Sequence, residues 1–96
     1  MHTLRGMEIS WDPGKAKANL RKHRVRFPDA ESVLFDPAGV TVEDPDSQDE
    51  QRFITIGLDA LGRVLVVVYA YHQEQIRLIS ARRASRSEIQ AYEKGV

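Results

Sequence analysis

"RFITIGLDALGRVLVVVYAYHQEQIRLISA", residues 52–81, decides the fold of this 96-residue chain. It holds three runs rich in β-branched and aromatic residues, "RFITIGLDA", "GRVLVVVYAYH" and "QIRLISA". Ala60, Leu61 and Gly62 join the first two, and a polar turn over Gln73 to Gln75 joins the second and third. Such runs separated by short turn segments predict an antiparallel meander.

Outward from the meander the pattern becomes helical. In "EISWDPGKAKANLRKHRV" a short strand runs into a helix, with Asp12 as cap and Pro13 at the first helical position, where its missing N–H costs nothing. Trp11, before the cap, is placed to staple onto Ala16. On a helical wheel Ala16, Leu20 and His23 share one face, with Lys15, Asn19 and Lys22 as the adjoining polar stripe. "FPDAESVLFDPAG" spaces Phe27, Ala30, Val33 and Leu34 as a second short helix before a break, "VTVED" alternates as a strand, and "PDSQDEQ" is an acidic loop. Ser85 and Glu88 form a capping box for a last helix that ends at Gly95. The order β-α-α-β-β-β-β-α predicts an α+β fold, an antiparallel sheet covered mainly on one face. One domain over residues 7–96 is expected, with residues 1–6 a disordered lead-in.

The 14 basic and 14 acidic residues cancel, but they are segregated. Residues 14–26 carry Lys15, Lys17, Arg21, Lys22, Arg24 and Arg26 and no acid, while residues 29–50 carry eight acids and no Lys or Arg. No apolar run approaches the roughly 20 residues of a membrane span, there is no signal core and no cysteine, so a cytoplasmic protein without membrane contact is expected. His2, His23 and His72 lack metal-ligand spacing, and the loop counted from Asp44 has Asp49 and Thr55 where a calcium loop needs Gly and Glu. No metal or cofactor is expected.

The residues left to carry chemistry are cations. Arg77, Arg82, Arg83 and Arg86 crowd a strand-to-helix junction with no acid until Glu88. Strand parity groups Arg77 with Ile79, Ala81 and Arg83. A helix start at Ser85 adds its unpaired N–H groups, which together suit a phosphate. For Arg77 alone the plain alternative is an ion pair to Glu43 or Glu74. His23, between basic residues on a helix, is the candidate proton acceptor, with a surface or core-edge histidine as its plain alternative. The acidic block is expected to lie away from the arginines, because folded over them it would cancel their field.

The segments "WDPGKAKANLRKHRVRF", "EQRFITIG", "GRVLVVVY" and "IRLISARRASRSEIQAY" resemble the BrnT family of type II toxins, over Met7 to Tyr92. The resemblance implies a RelE-like fold and a metal-independent endoribonuclease that cuts RNA and arrests translation. It implies an antitoxin of the BrnA type, whose ribbon-helix-helix domain binds operator DNA. The family's motif positions fall on Lys22, His23, Arg52, Arg77 and Arg82, with Lys15, Arg83 and Tyr71 expected to contact RNA. Metal-free cleavage needs a base, an acid and cations. Arg77 and Arg82 suit phosphate stabilisation, Arg52 positioning, and His23 with Lys22 proton transfer or charge. Arg24 stands where the family usually has Gly, and a left-handed helix end costs a non-glycine residue roughly 1 kcal/mol, so a different end to the first helix is an open alternative. The rival function is a non-catalytic module, either a DNA-binding co-repressor or a scaffold docking an antitoxin.

Overall fold

The structure, a computed structural model, describes residues 2–4, 7–47 and 50–95. In chain order the elements are β1 (His2–Leu4), β2 (Met7–Ser10), α1 (Pro13–His23), α2 (Phe27–Ala30), a 3-10 turn (Glu31–Phe35), β3 (Val40–Glu43), β4 (Arg52–Leu58), β5 (Val64–His72), β6 (Gln75–Arg83) and α3 (Arg86–Lys94). The α+β order read from the sequence is present, with β1 and the 3-10 turn in addition. Within the expected lead-in, His2–Leu4 pair antiparallel with β2. Met1, Arg5 and Gly6 lie outside the described residues.

The meander forms from local chemistry. At the β4–β5 turn the Asp59 carboxylate accepts from the N–H groups of Leu61 (3.0 Å) and Arg63 (2.8 Å), and from Arg63 Nε (2.8 Å). Those donors let a carboxylate sit 6% exposed, and Gly62 supplies the positive φ of 80° that closes the turn. Among the described residues the sheet has six strands in the order β1-β2-β6-β5-β4-β3. The expected antiparallel pairing holds except between β2 and β6, which run parallel; the long intervening chain permits this crossover. One sheet face carries Leu65, Val67, Tyr69, Ile76, Leu78 and Ala81, buried against Val25, Phe27, Ala30 and Val33.

Two departures from the sequence reading determine where the polar residues go. Helix α1 is rotated from its expected wheel: Leu20 is 42% exposed, whereas Asn19 is buried. Strand β2 pairs only with Gln75 to Arg77 of β6, leaving the outer edge of β6 bare beyond that point. The Asn19 amide acts as a peptide unit there, donating to Ala81 O (2.9 Å) and Val25 O (3.0 Å) and accepting from Ala81 N (3.0 Å). Burying a leucine at that edge would leave those backbone groups unpaired. The helix then ends at Arg24 in the left-handed conformation (φ 60°, ψ 31°), its N–H on Leu20 O at 2.9 Å. A Cβ is tolerated where Gly is usual, and Val25 next to it is fully buried.

The second departure is a bulge in β6. Tyr69 pairs with Leu78 and Val68 with Ser80, so Ile79 has no partner and strand parity shifts by one residue. Arg77 therefore does not share a face with Ala81 and Arg83, as simple alternation predicts. It shares the face of Ala70, Val68 and Val66, together with Ser80 and Arg82.

Candidate functional site

The face opposite the core is where the cations collect. Arg52 and Arg77 both pair with Ala70, one from each side, so the two guanidiniums straddle a buried alanine. Between them stands Glu50: its Oε1 accepts from Arg77 Nη2 at 2.5 Å and lies 4.0 Å from Arg52 Nε. This overturns the expectation that the acidic block stays clear of the arginines, and the pairing of Arg77 with Glu43 or Glu74. Alternation explains it, since Glu50 lies two residues before Arg52 and inherits its side of the strand. Arg77 Nε is buried with no hydrogen-bond partner among the described residues.

At the other end of β6, Arg82 makes a two-pronged pair with Glu88 (Nη1 to Oε1 2.9 Å, Nη2 to Oε2 2.8 Å). Glu88 also accepts from Ser85 N (2.7 Å) while Ser85 Oγ accepts from Glu88 N (3.3 Å), completing the expected capping box. The Arg82 hydrogen bonds, helped by those from Ser85, hold the Glu88 carboxyl at about 2 despite partial burial. The helix start offered as an anion site is thus already capped by its own glutamate. Arg83 lies on the core side of the strand end, opposite Leu65, and Arg86 opens α3.

The five motif residues separate into two groups along β6. Asn19 is level with Ala81, and Arg24 O accepts from Arg63 (3.4 Å), the residue before Val64, whose carbonyl takes Ala84 N. Helix α1 therefore runs toward the Arg82 end, carrying Lys22 and His23 there. Arg52 and Arg77 occupy the opposite end, about 15 Å away at 3.3 Å per residue. Neither Lys22 nor His23 forms a side-chain hydrogen bond or ion pair among the described residues, and His23 is half-buried. Lys15 is exposed in the first turn of α1. Tyr71 lies on the core side, edge-on to Phe53 (5.1 Å) and Tyr69 (6.0 Å), so it does not join the arginine face.

Sequence reasoning missed Glu50, Ser80 and His72 on this face. The signal for His72 was alternation along β5, which sets it two residues beyond Ala70 and on the same side. Ser80 could not be found without the bulge.

A model of the ribonuclease toxin BrnT of type II toxin–antitoxin systems matches residues 11–88. The crystal structure of the Brucella abortus ribonuclease toxin BrnT superposes with a TM-score of 0.62 at 29% identity, covering 83% of this chain and 99% of that one. No curated protein matches. The match spans the cap at Asp12, the whole sheet from β3 to β6 and the Glu88 capping box, and the chain belongs to the BrnT family of ribonuclease toxins of type II toxin–antitoxin systems.

Proposed function

We propose that this protein is a metal-independent endoribonuclease that acts in the cytoplasm, arrests translation by cutting RNA, and is neutralised by a BrnA-like antitoxin with a ribbon-helix-helix domain. The observation that carries the reading is the placement of Arg52, Arg77 and Arg82 along one face of the sheet, the face opposite the core. Guanidiniums placed there supply the positive charge that a phosphoryl transition state needs. The separation along β6 suits contacts to different phosphates of one strand. Arg77 with Arg52 holds the scissile phosphate, and Arg82 with Lys22 and His23 holds the backbone beyond it.

One observation favours the rival, a non-catalytic docking module: carboxylates already occupy both Arg77 and Arg82. Turnover separates the two readings. Purified protein in EDTA should cut single-stranded RNA, while an Arg77→Ala, Arg82→Ala double variant with an unchanged circular dichroism spectrum should not. RNA left intact by both preparations would remove the enzyme reading. RNA and antitoxin should exclude each other, since the antitoxin neutralises by setting its own carboxylates on the guanidiniums. Operator DNA is reached only through the antitoxin.

A further inference from the structure

The arginine face carries a carboxylate, Glu50, and an imidazole, His72, as well as cations. Glu50 Oε1 is engaged by Arg77, but Oε2 has no partner among the described residues. His72 ends β5 on the same side as Ala70, which Arg52 and Arg77 flank. Glu50, two residues before β4, and His72, the last residue of β5, lie at the same end of the sheet, beyond the Arg52–Ala70 pair where the β4–β5 ladder stops. A two-residue turn, with Gln73 at φ 57°, follows His72 directly and holds the strand end in place. The other charged groups around this end are Glu8, whose carboxylate accepts from the Gln75 amide (3.3 Å), Glu74 in the turn, Glu43, which accepts from the Gln51 amide (3.4 Å), and Asp44, whose N–H donates to Arg52 O (2.9 Å) and whose carboxylate accepts from Asp46 N (3.0 Å). Among the described residues none of these carboxylates pairs with Arg52 or Arg77.

We propose that Glu50 and His72 are the proton-transfer pair of RNA cleavage, an inference that rests on the ribonuclease reading above. Glu50 Oε2 takes the proton of the ribose 2′-hydroxyl as the 2′-oxygen bonds to phosphorus. Arg77 and Arg52 balance the charge growing on the phosphoryl oxygens. The bond from phosphorus to the 5′-oxygen breaks with its electron pair on oxygen, and protonated His72 delivers a proton to that oxygen. The products are a 2′,3′-cyclic phosphate and a 5′-hydroxyl; Glu50 then loses its proton to water and His72 regains one. Lys22 and His23, at the other end of β6, contribute charge rather than proton transfer.

The test is a set of pH–rate profiles for cleavage of a short RNA by wild type, Glu50→Gln, Glu50→Asp and His72→Asn. Glu50→Gln should lower the rate about 100-fold or more and lose the acidic limb, and Glu50→Asp should keep that limb. His72→Asn should lose the basic limb. A uridine 3′-(4-nitrophenyl phosphate) substrate, whose leaving group needs no acid, should restore the His72→Asn rate and leave Glu50→Gln slow. Glu8→Gln should behave as wild type. Wild type that cuts RNA while Glu50→Gln matches or exceeds it would overturn the proposal and leave the ribonuclease reading standing. An inactive wild type would overturn both.

Discussion

Asn19 pairs with Ala81 through both backbone groups of that residue, donating to its carbonyl at 2.9 Å and accepting from its N–H at 3.0 Å. A helix side chain thereby stands in for a seventh strand. Asn19→Ala should destabilise the protein by about 3 kcal/mol, because it strands buried donors and acceptors as well as removing three hydrogen bonds. Asn19→Asp should be no better, since a carboxylate cannot donate to the carbonyls of Val25 and Ala81. Urea unfolding of the three proteins checks this; an Asp variant as stable as wild type would refute the donor assignment.

Arg24 holds a left-handed conformation that its Cβ disfavours. Arg24→Gly should raise stability by about 1 kcal/mol, because the bond from Arg63 reaches the backbone carbonyl and survives the change. The check is a shift of the denaturant midpoint to higher concentration with an unchanged slope.

Glu88 contributes stability that depends on pH. Its folded pKa of about 2 lies below the ordinary value of 4.5, so the contribution is complete above pH 4.5 and fades as pH falls toward 2. Glu88→Gln should therefore cost about 1 kcal/mol at pH 7 and progressively less in acid. Midpoints measured at several pH values for both proteins test the sign: a difference that grows in acid would contradict it.

Tyr92 ties α3 to the end of the 3-10 turn, its hydroxyl donating to Asp36 Oδ2 at 2.6 Å. That bond to a carboxylate, with burial, raises the Tyr92 pKa. Burial pushes Asp36 up, but bonds from Tyr92, Leu58 N and Ala38 N outweigh it and leave the carboxyl below its usual value. Tyr92→Phe should cost about 1 kcal/mol, and Asp36→Ala about 2 because it also strips the two backbone donors. The double variant should be no less stable than Asp36→Ala, since both changes remove one interaction. Additive losses would show that Tyr92 acts elsewhere.

The elements legible in the sequence are those whose cause is local. Asp12 caps α1 three residues from the N–H it accepts, Ser85 and Glu88 close their box within one turn, and Asp59 with Gly62 makes the β4–β5 turn from adjacent residues. The β-α-α-β-β-β-β-α order follows from such signals. What tertiary structure decided is the side on which each polar group stands. The bulge at Ile79 breaks the alternation that parity arguments need, so Arg77 and Arg82, five residues apart, share a face. Asn19 turns inward, against its place on the wheel, because β2 stops short and leaves the β6 edge bare. Glu50 meets Arg77 across 27 residues, at a point set by strand pairing. Each of these depends on which backbone groups another part of the chain leaves unpaired, and no window of neighbouring residues contains that information.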